Sequence, residues 1–269
     1  MRIVLVGGNS FIANHVRLEA LAQGLDVIGL HHGADLDLAQ ADVVVNFATD
    51  QALFRETYSE ERDWDVRVAA AAAKAHSHFV MCSTRRVYPA PVRLGAVETD
   101  PATGDETVYG ANKAKSEKTV TQIVGANGTI FRLSNIFGFE YSETGQRRSF
   151  FAQLLGSLRR NGEIRFDMSA ATRRDFLPVE VCASAIVRGL RGGVGGVFNL
   201  GCGFPVICGD VAQWVVEGFG SGRLVIEPDV VKDEFYLDMQ NWRATFGPLI
   251  GEDALQNYCM ELGRRLRRA

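Results

Sequence analysis

The chain has 269 residues, 46% hydrophobic and 23% charged, with a formal net charge of −3. That balance belongs to a globular protein with a sizeable core and excludes the basic surface of a nucleic-acid binder. The length is long for one domain and short for two independent ones. The five cysteines (Cys82, Cys182, Cys202, Cys208, Cys259) are odd in number and never sit at C-x-x-C spacing. A disulfide framework and a zinc site are therefore not expected, and a reducing cytoplasm is. The histidines, His15, His31, His32, His76 and His78, have no metal-ligand spacing, so no metal is expected. Met1 to Val6 is too short an apolar run for a signal peptide, and no later run approaches a membrane span.

In chain order, Arg2 to Val6 is a short β-branched run that ends in Gly7 and Gly8 and is followed by a helical pattern from Phe11 to about Gly24. This is strand, tight turn, helix. Asp26 to Leu30 predicts a second strand, ended by His31, His32 and Gly33, and Ala41 to Ala48 a third. Near-continuous apolar runs of this kind suit parallel strands covered by helices on both faces. Helical patterns over Glu60–Lys74 and Tyr109–Gln122 flank a strand at Phe79–Cys82, with Lys113, Lys115 and Lys118 expected on the exposed side of the second helix. Gly128 to Leu133 is another strand, Ser149–Arg160 and Val179–Leu190 are amphipathic helices, and Gly196 to Gly203 is a strand leaving through glycines. Arg264, Arg265, Arg267 and Arg268 form a basic tip expected to be solvated at a helix C-terminus. Alternating strands and helices imply α/β architecture, a Rossmann-type doubly wound parallel sheet with a smaller C-terminal substrate lobe. The expected division is residues 1–134, with 175–200 returning to it, against 135–269, the substrate lying between.

A glycine turn that opens a helix presents backbone N–H groups to a pyrophosphate. Here the G-x-x-G-x-x-G pattern is degenerate, with Gly7, Ser10 and Ala13 at its three positions. Where a carboxylate usually holds the ribose of NAD, the second strand ends in His31 and His32. No arginine stands there for a 2′-phosphate, so NAD and NADP both remain open. Tyr109 and Lys113, at Y-x-x-x-K spacing, share one helix face, and a cation one turn away is expected to lower the phenol pKa. Ser83 and Thr84 follow the strand at Phe79–Cys82, so their hydroxyls are expected at the crevice.

Taken together, these motifs resemble the extended short-chain dehydrogenase/reductases, specifically the NAD-dependent epimerase/dehydratase family that modifies nucleotide sugars. The resemblance runs through Gly7 with Phe11 and Ile12, Asp35 and Leu36, Asn46–Ala48, Ser83 and Thr84 with Val87 and Tyr88, and Tyr109 with Lys113. It continues through Arg132–Gly138, Arg174–Val179 and Phe198–Gly201. It implies that Gly7, Ser10, Phe11, Ile12, His31, Asp35, Leu36, Phe47, Ala48 and Lys113 contact NAD or NADP. Thr84, Tyr109 and Lys113 would form the catalytic set, with Thr84 and Tyr109 on the sugar oxygen. Ser83, Thr84, Arg85, Arg86, Asn135 and Arg174 would line the nucleotide-sugar site, although Asn135 could be a turn residue and Arg174 could pair with Asp175. A homodimer is the family's usual assembly.

Departures from the family pattern narrow the reaction. The dehydratases this chain resembles carry an Asp-Glu pair where Arg85 and Arg86 stand, and the 3,5-epimerase/reductases a cysteine in place of Arg86; arginine supplies neither acid nor base. Reduction of a keto-sugar and 4-epimerisation with tightly bound NAD both remain. The shortness of the chain favours the reductase. Arg85 and Arg86 could meet a phosphate or an acidic sugar group, or simply be solvated. A non-catalytic NADP-binding redox sensor is the alternative of another class.

Overall fold

Strands whose side chains are apolar on both faces can only be stable between two layers of helix, and this governs the architecture. The computed structural model describes residues 1–31, 33–139 and 150–268. Ser149, where the sequence starts a helix, and His32 lie outside the described residues. The first half runs β1 (Arg2–Val6), α1 (Phe11–Ala22), β2 (Asp26–Leu30), β3 (Val43–Asn46), α2 (Trp64–Lys74) and β4 (His78–Thr84). It continues with β5 (Leu94–Ala96), α3 (Val108–Val124), β6 (Gly128–Leu133) and β7 (Asn135–Phe137). Then come α4 (Phe150–Asn161), β8 (Glu163–Phe166), β9 (Arg173–Arg174), β10 (Phe176–Pro178), α5 (Val179–Gly192) and β11 (Gly196–Leu200). The chain ends with β12 (Val206–Ile207), α6 (Cys208–Phe219), β13 (Arg223–Ile226), β14 (Tyr236–Leu237), α7 (Gln240–Phe246) and α8 (Glu252–Arg268).

Six strands form one parallel sheet in the order β11-β6-β4-β3-β1-β2. Alternate side chains feed two cores: Ile3, Leu5, Val43, Val45 and Phe131 pack under α1 and α5, while Val4, Val6, Val44, Phe79 and Met81 pack under α2 and α3. Each such aliphatic side chain contributes about 1.5–3 kcal/mol when buried. That gain centres β1 and β3, which are nearly wholly buried, and leaves the half-exposed β2 at the edge. The helix expected from Glu60 begins at Trp64, because Asp63 caps it by accepting from the Asp65 amide, while Glu60–Arg62 forms a separate tight turn.

A second core gathers Phe137, Leu154, Leu158, Phe166, Val211, Val215, Leu255 and Leu262 from α4, α6, α8 and the short strand pairs β8–β13 and β7–β10. Residues from α5, β11 and α7, among them Ile186, Leu200 and Trp242, pack instead in the core of the main sheet. Among the described residues no helix is long and apolar enough to cross a membrane.

Candidate active site

The strand order reverses between β1 and β3, and a crevice at the carboxyl ends of these strands is where an open α/β sheet takes its ligand. Gly7 turns there with φ +74°, and a Cβ on it would lie 2.6 Å from the Ala48 nitrogen. Only glycine allows Phe47 and Ala48 to pass so close. Ser10 caps α1 by accepting from the Ala13 amide at 3.4 Å, which leaves its own proton free to donate. The Phe11 and Ile12 amides in the first turn have no carbonyl partner within the helix, so the positive end of α1 is open to an anion. This arrangement fits the pyrophosphate of a dinucleotide. The exposed His31 ends β2 and meets Asn9 through Nδ1 at 3.2 Å; Asp35 is exposed, and Leu36 packs against the core.

Tyr109 and Lys113 lie on one face of α3, capped by Thr107, whose hydroxyl accepts from the Gly110 amide at 2.9 Å. The expectation that Lys113 faces solvent is corrected: Lys115 and Lys118 do, but Lys113 is 2% exposed. Its ammonium donates to Asp65 Oδ2 at 2.6 Å and to the Cys82 carbonyl at 3.2 Å. Burial disfavours that charge, yet the Asp65 carboxylate more than compensates and holds the Lys113 pKa above its usual value. An ammonium has three N–H bonds, and the third suits a ribose hydroxyl. The phenol also departs from expectation. Burial pushes the Tyr109 pKa up, Lys113 and Arg86 pull it down, Asp65 adds to the rise, and the net direction is upward. Phe54 stacks on the Tyr109 ring with centroids 4.6 Å apart and planes 9° from parallel.

Thr84 ends β4, and its hydroxyl accepts from the Arg86 amide at 3.3 Å, again leaving a proton to donate. Ser83 points the other way. Its buried hydroxyl donates to Glu117, which also accepts the Arg132 guanidinium, so Ser83 belongs to the polar core rather than to a substrate site.

Arg85, Arg86, Asn135 and Arg174 all line a cavity of about 510 Å³. Its apolar lining includes Phe137, Leu154, Phe166 and Val211, which belong to the second core. Arg85 is not solvated: it is 7% exposed, grips Asp233 and lies over the Phe235 ring. Arg86 is half-exposed, 3.7 Å from the same carboxylate. Arg174 does not pair with Asp175. It donates to the Lys232 and Asp233 carbonyls, whereas Asp175 accepts backbone amides from Cys202, Gly203 and Leu237. Asn135 begins a strand pair with Phe176 rather than a turn.

Sequence reasoning missed Asp65, Phe54, Gly110 and Asp233. The Gly110 signal was available inside the Tyr-Lys motif: a Cβ there would lie 2.3 Å from the Arg86 carbonyl oxygen, so glycine lets α3 close on the turn after Thr84. Asp65 and Asp233 carried no local signal, because their partners lie 48 and 148 positions away.

The family model described as NAD dependent epimerase/dehydratase family matches residues 3–201. No curated protein sequence matches the chain. Among solved structures, the chain is similar to UDP-N-acetylglucosamine 4-epimerase from Bacillus cereus, at 18% identity and TM-score 0.81, with 100% of each chain covered. It is similar to UDP-glucose 4-epimerase of Thermus thermophilus in complex with NAD, at 18% identity and TM-score 0.73, covering 98% of this chain and 99% of that one. The dTDP-4-dehydrorhamnose reductase from Yersinia enterocolitica matches at 15% identity and TM-score 0.73, covering 96% and 98%. At these identities the likeness is one of fold. Because the match spans the whole Bacillus chain, shortness does not separate this protein from epimerases.

Proposed function

The chain belongs to the NAD-dependent epimerase/dehydratase family, and on that premise we propose that it is an NAD(P)-dependent oxidoreductase that reduces a keto group of a nucleotide-activated sugar. The observation that carries the reading is the position of Arg86, which lines the cavity and whose carbonyl lies against Gly110, the residue next to Tyr109. In this reading a ligand has its anionic part on Arg86 and Arg174 and extends its other end to Tyr109. A nucleoside diphosphate sugar has that form: a base for the apolar lining, a diphosphate for the guanidiniums and a sugar for the phenol.

In this reading a bound nicotinamide supplies or accepts the hydride at the sugar carbon. Thr84 donates a hydrogen bond to the sugar oxygen, and Tyr109 Oη gives that oxygen its proton. Lys113 holds a ribose hydroxyl with its remaining N–H. The turn amides of α1 and the Ser10 hydroxyl hold the pyrophosphate. Arg85 and Arg86 offer no acid or base for elimination of water, which disfavours a dehydratase. A second reading, 4-epimerisation with retained NAD, draws on the Bacillus and Thermus relatives. A redox sensor without turnover, and a homodimer, stay as further proposals; a sensor would have no use for the Tyr109–Lys113 pair.

The test is to denature freshly purified protein, identify any nucleotide released, and then assay NADPH and NADH oxidation with nucleotide keto-sugars. The reductase reading expects an exchangeable cofactor, turnover by the wild type, and no turnover by Tyr109→Phe with cofactor binding nearly intact. Stoichiometric NAD in the released fraction selects the epimerase. Undiminished activity in Tyr109→Phe overturns the catalytic assignment.

A further inference from the structure

Tyr109 is the second residue of α3, in the first turn of the helix. A helical side chain is normally confined at χ1 by the turn before it, and the χ2 of a tyrosine is broad in any case. At this position no preceding turn exists, so the helix alone orients the phenol poorly. Hydrogen bonding does not make up for it. The Thr84 hydroxyl is tied to the Arg86 amide and the Lys113 ammonium to Asp65 and the Cys82 carbonyl, whereas the Tyr109 hydroxyl has no protein partner among the described residues.

The ring is held by packing from outside α3. Gln51–Phe54 forms a tight turn after β3, capped by Asp50, which accepts from the Ala52 amide at 2.8 Å. This turn lays the Phe54 ring on the Tyr109 ring, 4.6 Å between centroids and 9° from parallel. Connecting segments are ordinarily the more mobile parts of a fold, and this one is fastened. Asn112 Nδ2 donates to the Leu53 carbonyl at 3.0 Å and to the Glu56 carbonyl at 2.9 Å, one on each side of Phe54 in the chain. Asn112 is buried and stands on α3 three positions after Tyr109. Arg62 braces the same segment through Asp50 at 3.2 Å and Glu56 at 2.8 Å. The turn is thus anchored to the helix that carries the phenol.

We propose that Phe54, held in place by Asn112, is a positioning residue that fixes the plane of the Tyr109 phenol, so that its hydroxyl stands ready at the sugar oxygen. The inference rests on the oxidoreductase reading above and adds the device that orients its proton donor. Phe54 has no group that exchanges a proton, and the Asn112 side chain donates to main-chain carbonyls, so both act through orientation. A phenol released from the stack turns into unproductive orientations. Turnover then falls, while the groups that bind cofactor and sugar stay where they are.

The experiment applies two readouts to one set of variants. Protein isotope-labelled at its six tyrosine rings is compared by nuclear magnetic resonance, and the Tyr109 signal is the one missing from Tyr109→Phe. In wild type the Tyr109 ring protons are expected upfield of free tyrosine, shielded by the Phe54 ring, and in Phe54→Leu they are expected to move downfield. With a nucleotide keto-sugar, Phe54→Leu is expected to lose about 10-fold or more in kcat, with KM and cofactor affinity within about twofold of wild type. Phe54→Tyr, which keeps the stack, is expected to restore the ring shift and most of kcat. Asn112→Ala, which frees the turn, is expected to reproduce Phe54→Leu in weaker form. An unmoved Tyr109 signal in Phe54→Leu, an undiminished kcat, or a loss confined to KM overturns the proposal. Phe54 is 38% exposed, so its replacement by leucine leaves the core intact and decides even if Asn112→Ala does not fold. Wild type without turnover on any keto-sugar removes the activity reading and this role with it; wild-type turnover that Phe54→Leu retains removes the role alone.

Discussion

The Arg85 guanidinium grips the Asp233 carboxylate through two hydrogen bonds, of 2.8 and 2.5 Å, joining the turn after β4 to the segment before β14. Arg93 at 3.6 Å, Arg86 at 3.7 Å and Arg174 at 3.9 Å surround the same carboxylate. Arg93 is also held by Glu106 at 3.1 Å, so Arg85, Arg86 and Arg174, which line the cavity, share the single Asp233 carboxylate and leave a local excess of positive charge there. Asp233 thus both closes the loop onto the pocket and holds a cluster that would otherwise repel itself.

Asp233→Ala is expected to cost about 2 kcal/mol of stability, less than the roughly 3–5 kcal/mol for a fully buried pair, since Asp233 keeps 26% of its side-chain surface in water. The freed guanidiniums should then bind anions better. Inorganic pyrophosphate is expected to raise the melting temperature of Asp233→Ala more than that of wild type, in proportion to the gain in affinity. Equal shifts in the two proteins would mean that the cluster does not face the ligand.

Gly110→Ala tests whether the closeness of α3 to the Thr84 turn matters for chemistry. The added methyl would lie 2.3 Å from the Arg86 oxygen and 2.9 Å from the Gly104 oxygen, both backbone atoms that cannot swing aside. Forcing the helix outward should cost about 1–3 kcal/mol. Because a misplacement near 1 Å can cost about 100-fold in rate, kcat/KM should drop far more than stability alone explains. Thermal unfolding measured beside kcat/KM separates the two effects.

The sheet was legible in the sequence because each of its strands is a run of adjacent residues with its own periodicity. All six predicted strands of the main sheet are present, and β1 with Gly7 and α1 followed from local turn chemistry. Pairings across the fold were not legible. Ser83 reads as a strand-end hydroxyl, and only Glu117 and Arg132, brought in by α3 and β6, turn it into the core. Lys113 reads as one of three helix lysines until Asp65 arrives from 48 positions away. The Tyr109 phenol failed expectation for the same reason: one neighbouring cation was visible in sequence, and the carboxylate and the burial that outweigh it were not.

At the opposite, amino-terminal end of β4, His78 gives the fold a pH dependence of its own. Nε2 lies 2.8 Å from Thr129 Oγ1 and Nδ1 3.3 Å from Asn127 Oδ1. Burial lowers its pKa below the free value, with the Asn127 contact opposing. The folded state therefore binds less proton than the unfolded state below about pH 6.5, so stability rises with pH through that range. The His78 contribution is complete above about pH 6.5 and is lost as pH falls toward the lowered folded value. Urea unfolding of wild type between about pH 7 and 5 should show this slope, and His78→Gln should flatten it. A slope of equal size in the variant assigns the dependence to other groups.

Gly7→Ala separates the dinucleotide crevice from the rest of the site. At φ +74° an alanine pays about 1–2 kcal/mol of backbone strain, and its Cβ would stand 2.6 Å from the Ala48 nitrogen and 2.9 Å from the Phe47 carbonyl carbon. Relief requires the 47–48 segment to move away from the first turn of α1, widening the place where the Phe11 and Ile12 amides would meet a pyrophosphate. The variant is expected to lose most of its affinity for NADH and NADPH in fluorescence titration. The cavity around Arg86 and Arg174, whose lining does not include the Gly7 turn, should keep its response to pyrophosphate. A variant that binds both cofactors as wild type does would place the dinucleotide elsewhere than the Gly7 turn.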